Sequence, residues 1–123
     1  MARLLIIDDE ALVRRALRRI LEGAGHQVTE AADGAAGMAA YLSDPQDLVI
    51  CDMVMPVQDG LSTLRHLLAA FPAVKFIAMS GGCRTSAGSL LDIAAWVGAR
   101  MTLDKPLSKA TVLDAVRVVL SGA

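Results

Sequence analysis

Acidic side chains stand at two places where an apolar segment stops abruptly. Asp8 and Asp9 follow the aliphatic run Arg3–Ile7, and Asp52 follows the run Leu48–Cys51. If these carboxylates meet, two of them about 4 Å apart repel each other by roughly 4 kcal/mol at an effective dielectric constant near 20. Such a cluster requires protons or a cation. Its hard oxygen ligands suit Mg²⁺, which combines one or two carboxylates with waters and a phosphate.

Two further polar residues occupy similar places. Ser80 follows the run Val74–Met79, and Lys105 stands just after the run Arg100–Leu103. A lysine is a compact positive charge that attracts anions, and a serine hydroxyl donates to a developing negative charge. Together with a metal, these groups favour phosphoryl transfer, in which cations neutralise the phosphoryl oxygens while a carboxylate attacks in line. An aspartate can itself become the covalent acceptor, as an aspartyl phosphate.

Strands that alternate with helices must position these residues. Five aliphatic runs alternate with five segments of helical periodicity, which predicts an α/β fold with a doubly wound, five-stranded parallel sheet. Because ligands of such sheets bind at the carboxyl ends of the strands, the polar residues are expected to converge on one cleft. The alternative gives each residue a local role, as a helix cap, a turn residue or a solvated charge. The predicted strands are Arg3–Ile7, His26–Glu30, Leu48–Cys51, Val74–Met79 and Arg100–Leu103.

Length and composition narrow the classes of protein. The 123 residues suit a single domain, residues 1–123, and the net charge of −1 argues against direct binding of nucleic acid. No apolar stretch approaches the ~20 residues that span a membrane, and the N-terminus does not resemble a signal peptide. Cys51 and Cys83 lack metal-ligand spacing. They indicate a reducing, cytoplasmic setting, with Cys51 as a small core residue.

These motifs resemble the receiver domain of two-component response regulators, the CheY-like superfamily, over essentially the whole chain. The resemblance is carried by Asp8-Asp9, by the pattern Asp-x-x-Met-Pro-x-x-Asp-Gly over residues 52–60, by Ser80 and by Lys105-Pro106. It implies a flavodoxin-like (βα)5 fold with strand order 2-1-3-4-5. It also implies a signalling switch that catalyses its own phosphotransfer and dephosphorylation and is not a turnover enzyme.

The resemblance implies a role for each site residue. Asp52 is expected to be the phosphoacceptor. Asp9 and Asp52 are expected to ligate Mg²⁺ by their side chains, Val54 by its backbone carbonyl, and Asp8 through a bound water. Lys105 is expected to pair first with Asp52 and then with the phosphoryl group, beside a cis peptide bond to the following proline.

The switch residues include departures from the family pattern. Ser80 is expected to donate a hydrogen bond to the phosphoryl oxygen when the domain switches. Thr102 stands where many relatives carry a Tyr or Phe that turns inward, so a signal carried by a buried ring is not expected here. Residues 80–89 form a long, glycine-rich predicted loop that is expected to order on phosphorylation. Val54 and Gly82 lack polar side chains that could position a hydrolytic water, which predicts a long-lived phospho-form.

The expected phosphodonor is a histidine kinase or a histidine phosphotransfer protein, and the output is an unknown downstream protein or output domain. Two alternatives stay open: an aspartate-nucleophile phosphatase, and a degenerate receiver that acts only as an interaction module. The phosphatase is disfavoured because such enzymes carry a second acid two residues after the nucleophile, where this chain has Val54. The intact acidic site opposes the degenerate receiver. The sequence leaves open whether the chain stands alone or is part of a longer regulator.

Two surfaces admit more than one interpretation. The first predicted helix carries Arg14, Arg15, Arg18 and Arg19, which form either a solvated face, partly offset by Glu22, or a docking face for the phosphodonor. Trp96 lies in the apolar helix Leu90–Val97, either packed in the core or exposed as a contact surface. The fourth helix, fifth strand and fifth helix are the expected face for a downstream partner or for dimerisation with a second copy.

Overall fold

A computed structural model describes residues 2–55, 59–81, 84–85 and 88–122. One sheet contains five parallel strands, β1 (Arg3–Ile7), β2 (Gln27–Ala31), β3 (Leu48–Asp52), β4 (Phe76–Ser80) and β7 (Met101–Asp104). Their order across the sheet is β2-β1-β3-β4-β7. The helices are α1 (Ala11–Gly23), α2 (Gly34–Ser43), α3 (Gly60–Ala70), α4 (Leu90–Val97) and α5 (Lys109–Ser121). The α/β fold class and the strand order 2-1-3-4-5 are therefore confirmed, counting the strands of this sheet in chain order.

The sheet is buried on both faces because helices cover both. Every residue of β3 and β4 is buried, as expected for central strands of a parallel sheet. Successive side chains point to opposite faces, so each central strand contributes side chains to two separate hydrophobic cores. Leu5 and Val49 pack toward α2, α3 and α4, whereas Leu4 and Ile50 pack toward α1 and α5. Among the described residues, no helix is both long enough and apolar enough to cross a membrane.

The structure shifts the bounds of four of the five predicted strands by one or two residues, and it changes part of one predicted loop. The fourth strand begins at Phe76 rather than at Val74, because the Val74 N–H donates to the Phe71 carbonyl in the turn that follows α3. Part of the segment predicted as a loop forms two short antiparallel strands, β5 (Arg84–Thr85) and β6 (Gly88–Ser89). Gly82 and Cys83, singled out in the sequence, lie outside the described residues, as do residues 56–58 of the motif.

Side-chain caps set where three helices begin. Asp33, Asp59 and Ser108 each accept a hydrogen bond from a backbone N–H in the first turn of α2, α3 and α5, respectively. Such a cap contributes about 1 kcal/mol. The Asp59 cap matters most for the site, because α3 begins directly behind the carboxyl end of β3.

Gly60 allows α3 to begin in contact with the backbone at the end of β3. Its N–H donates to the Met53 carbonyl over 3.2 Å. A Cβ atom at this position would collide with the backbone carbonyl oxygen of Asp52 and would lie 2.6 Å from the Cα of Met53. Neither backbone atom can yield without moving the end of β3.

We predict that Gly60→Ala lowers the free energy of unfolding by roughly 1–3 kcal/mol, since the added carbon overpacks against backbone. Urea unfolding followed by circular dichroism measures the change. The matched control is Gly23→Ala at the end of α1, where the added carbon meets no described atom within 4 Å. The control is expected to keep or raise stability, because alanine favours helix. Equal stability of the two variants would contradict the prediction.

Candidate functional site

The sheet brings the predicted site residues to one edge. Asp8 lies just past β1, Asp52 ends β3, and Ser80 ends β4. Lys105 follows β7, where its backbone N–H donates to the Ser80 carbonyl over 2.7 Å. Carboxylate oxygens of Asp8, Asp9 and Asp52 all lie within 4.8 Å of one another. The expected convergence on one cleft is therefore observed, and the purely local interpretation of these residues does not account for it.

The Lys105 ammonium bridges the acidic cluster. Its Nζ atom lies 2.9 Å from Asp8 Oδ2 and 3.4 Å from Asp52 Oδ2. The sequence interpretation paired Lys105 first with Asp52, whereas the shorter contact here is a hydrogen bond to Asp8. The peptide bond between Lys105 and Pro106 is cis. The lysine thus partly neutralises two buried carboxylates at once.

Burial dominates the electrostatics of Asp52. The residue is only 4% exposed. Burial raises the pKa of the Asp52 carboxyl, and so does the charge of Asp8, whereas the Lys105 charge and the N–H of Val54 lower it. The net pKa is above the ordinary value of 3.8. Ionisation of Asp52 therefore costs free energy in the folded chain, and the Lys105 charge offsets only part of that cost.

The same contacts act on Lys105. Burial lowers the pKa of its ammonium, but the hydrogen bond to Asp8 and the charges of Asp52 and Asp8 outweigh burial. The net pKa is above its ordinary value, so the lysine is a fixed positive charge at neutral pH. A cation placed this close to the acceptor carboxylate can stabilise negative charge that develops there.

The donor set fits a hard divalent cation. Asp8, Asp9 and Asp52 offer carboxylate oxygens, the ligands that Mg²⁺ takes in proteins, and Lys105 balances only one of their three charges. Asp8 and Asp52 are buried, whereas Asp9 is exposed and opens the cluster to solvent.

Ser80 and Thr102 take different environments. Ser80 is 1% exposed, and its hydroxyl oxygen makes no hydrogen bond within the described part of the chain. A buried hydroxyl without a partner is uncommon, and this one stands at the same sheet edge as the acidic cluster. Thr102 is half-buried on β7, opposite Ala78 of β4. A threonine there fills far less space than an aromatic ring.

Two contacts to the acidic cluster were not predicted from the sequence. The Glu10 carboxylate lies 3.6 Å from Lys105 Nζ, and the Arg14 guanidinium donates to the Asp8 carbonyl over 2.6 Å. The run Asp8-Asp9-Glu10 is a signal that could have indicated the first contact. The second contact could not have been found from the sequence. Arg14 differs from the neighbouring arginines in the direction of its side chain toward the end of β1, and the sequence pattern does not reveal that direction.

Three further residues from the sequence analysis differ in position: Trp96 is exposed, Cys51 lies in the core, and Val54 contacts Asp52. Trp96 is 90% exposed on α4, so the core-packing interpretation is wrong and the contact-surface interpretation remains. Cys51 is fully buried on β3, as expected for a small core residue, and burial raises the pKa of its thiol well above the ordinary value. Val54 is exposed beside Asp52, and its N–H donates to Asp52 Oδ1 over 3.3 Å.

Comparisons with known proteins agree with this geometry. The response regulator receiver domain family matches residues 4–117. The chain is 36% identical to protein CcdB of Bacillus subtilis over 121 residues, which are 98% of each protein. It is 35% identical to protein PilH of Pseudomonas aeruginosa over 127 residues, covering 99% of this chain and 100% of PilH. A receiver domain structure from Clostridium thermocellum has a TM-score of 0.89 at 26% identity, covering 98% of this chain and 95% of that one.

We predict that Asp52→Asn raises the free energy of unfolding at pH 7. A folded-state pKa above 3.8 means that stability falls as the pH rises from that value through the folded pKa. The loss is about 1.4 kcal/mol for each pH unit of that interval. Asparagine does not ionise and so avoids this loss of stability, and Lys105 keeps its hydrogen bond to Asp8. Urea unfolding between pH 3 and pH 7 measures the gain, which grows toward neutral pH.

The control for this prediction is Asp104→Asn, which removes an exposed carboxylate at the end of β7. Its stability is expected to stay within about 0.5 kcal/mol of the unaltered chain, as for most surface substitutions. An Asp52→Asn variant that is less stable than the unaltered chain at pH 7 would contradict the prediction.

Proposed function

Because the chain belongs to the receiver domain family of response regulators, we propose that it is a phosphorylation-controlled switch whose phosphoacceptor is Asp52. One observation carries the proposal: the carboxylates of Asp8, Asp9 and Asp52 converge around the ammonium of Lys105. A small acidic pocket with one fixed cation suits the transfer of a phosphoryl group better than the binding of a large organic ligand.

The chemistry assigns a role to each residue of the pocket. A carboxylate oxygen of Asp52 forms the new P–O bond while the P–N bond of the donor's phosphohistidine breaks and the imidazole leaves. Asp9 and Asp52 would hold Mg²⁺ by their side chains, Val54 by its carbonyl, and Asp8 through a water. When bound, Mg²⁺ supplies positive charge that stabilises the phosphoryl oxygens. Lys105 turns from the carboxylates to the incoming phosphoryl group.

The response to phosphorylation begins at Ser80. Its buried hydroxyl makes no bond within the described residues, so donating to a phosphoryl oxygen breaks no described contact. The modified aspartate then shifts an equilibrium between an inactive and an active conformation. Thr102 offers no ring to bury, and the change is therefore expected to reach α4 through the segment that follows Ser80.

The proposed partners match two exposed surfaces. A histidine kinase or a histidine phosphotransfer protein is expected to contact α1, where Leu12, Arg15 and Arg19 line a shallow cavity of about 340 Å³. The downstream protein or output domain, or a second copy of the chain, is expected to contact α4, β7 and α5, where Trp96 is exposed. The net charge of −1 disfavours direct binding of nucleic acid. We propose that the switch acts in the cytoplasm.

We predict that acetyl phosphate with Mg²⁺ adds one phosphoryl group to the chain, detected by intact mass. The Asp52 carboxylate is the expected acceptor because it lies beside Lys105 and beside the carboxylates of Asp8 and Asp9. Asp52→Ala is expected to remove the added mass. The matched control Asp104→Ala deletes an exposed carboxylate at the same sheet edge and is expected to keep it.

Two outcomes would overturn the proposed function. If neither acetyl phosphate nor phosphoramidate labels the chain, the degenerate receiver that acts only as an interaction module becomes the favoured alternative. Multiple turnover of a phosphomonoester such as p-nitrophenyl phosphate would favour the phosphatase, although Val54 stands where such an enzyme needs its second acid.

We predict that the phospho-form lasts for minutes or longer without a phosphatase. Val54 is exposed beside Asp52, and its side chain has no polar group to position a water; Gly82, outside the described residues, has no side chain. Decay of the phosphorylated mass after removal of acetyl phosphate measures the lifetime. Val54→Gln is expected to shorten it severalfold, whereas the apolar control Val54→Ile is not. A half-life of seconds for the unaltered chain would refute the prediction.

A further inference from the structure

Arg14 joins the acidic pair to the edge strand of the sheet. Its side chain is only 18% exposed. The Nη1 atom donates to the backbone carbonyl of Asp8 over 2.6 Å, and the Nε atom donates to Glu30 Oε1 over 3.1 Å. Two nitrogens of one planar guanidinium therefore bond two acceptors that lie on different strands or their extensions.

Glu30 holds this guanidinium in place together with a second arginine. Its other carboxylate oxygen, Oε2, accepts from Nε of Arg18 over 2.7 Å. Arg18 also donates to the Val28 carbonyl and to Glu22. Arg14 and Arg18 thus each make one charge-assisted bond to Glu30 through Nε, and the bond from Arg18 is the shorter. They differ in their other acceptors: only Arg14 bonds the Asp8 carbonyl.

The bond from Arg14 completes the anchoring of Asp8. The Asp8 N–H donates to the Ala31 carbonyl over 3.1 Å. Its carboxylate accepts from the Glu10 N–H over 2.8 Å and from Lys105 over 2.9 Å. Arg14 holds the remaining polar group, the carbonyl, so every polar group of Asp8 has a partner.

The held carbonyl belongs to the peptide that leads into Asp9. Since a peptide unit is planar, fixing the direction of the Asp8 carbonyl also fixes the direction of the Asp9 N–H. Asp9 is exposed, so packing does little to orient its side chain. The angle at which its carboxylate enters the cluster therefore depends on this peptide plane.

We propose that Arg14, braced by Glu30, is a positioning residue that fixes the Asp8–Asp9 peptide and thereby increases the affinity of the pocket for Mg²⁺. The identity of the cation rests on the proposed function. Arg14 itself does not touch the cation or the phosphoryl group. Removal of groups that orient metal ligands typically weakens metal binding 10- to 100-fold.

The sign of the effect separates positioning from simple electrostatics. Arg14 is a cation close to a cation site, so its charge alone repels Mg²⁺, and removing that charge should tighten binding. Loss of positioning has the opposite effect, because the Asp8–Asp9 peptide is released. A weakened affinity in an Arg14 variant therefore cannot come from the missing charge.

The test is a Mg²⁺ titration of the full, unphosphorylated chain, followed by ¹H–¹⁵N NMR shifts of the amides of residues 8–10 and 52–54. Arg14→Gln is expected to raise the dissociation constant for Mg²⁺ roughly tenfold. Arg14→Lys keeps the charge but has a single nitrogen for two separated acceptors, and it is expected to bind Mg²⁺ severalfold more weakly than the unaltered chain.

Arg18→Gln is the matched control, because it also breaks a bond to Glu30 but leaves the Asp8 carbonyl bonded. It is expected to change the dissociation constant less than twofold. Urea unfolding of each variant shows whether Arg14→Gln and Arg18→Gln lose similar stability. A weakening confined to the Arg14 variants then reflects position and not loss of folded protein.

The results distinguish this inference from the proposed function. An unaltered chain that binds Mg²⁺ alongside an Arg14→Gln variant that binds it equally or more tightly overturns the positioning role alone. Equal weakening in Arg18→Gln also overturns it, since general loosening of α1 would then suffice. An unaltered chain that binds no Mg²⁺ removes the proposed cofactor and the inference together.

Discussion

The main physical constraint on the site is the repulsion among three carboxylates, because the fold holds oxygen atoms of Asp8, Asp9 and Asp52 within 4.8 Å of one another. One ammonium, on Lys105, opposes three negative charges, and burial together with the charge of Asp8 raises the pKa of Asp52 despite that ammonium. An arrangement of this kind persists only because the apolar packing of the central strands outweighs it. The same surplus of negative charge fits the proposed divalent cation and, with it, the proposed phosphoryl group.

The fold holds these charges at strand ends, where backbone pairing limits their movement. Asp52 and Ser80 are the last residues of fully buried strands, and the Asp8 N–H continues the pairing of β1 with β2. Gly60 lets α3 start directly against the end of β3. Ser80 is the exception to this tight bonding, because its hydroxyl makes no bond among the described residues. A rigid acidic pocket beside an uncommitted donor is a suitable arrangement for a switch.

The basic helix beside the pocket serves two purposes that its composition does not separate. Arg14 and Arg18 turn inward and share Glu30, so they belong to the internal structure. Arg15 and Arg19 remain exposed beside Leu12, on the face proposed to contact the phosphodonor. On the other face of the sheet, Trp96 is exposed on α4, which is part of the proposed contact surface for a downstream partner. The pocket therefore lies between a proposed input face and a proposed output face.

Residue type and position at the end of an aliphatic run were enough to predict the acidic cluster, Lys105 and Ser80, because parallel strands present their carboxyl ends at one edge. The strand order came from resemblance to a family. Tertiary structure alone decided that Lys105 bonds Asp8 most closely, a contact between residues 97 positions apart. It also decided that Trp96 is exposed, since a helix apolar nearly all round does not reveal its buried face. Local periodicity describes one element at a time, whereas these contacts depend on how several elements pack.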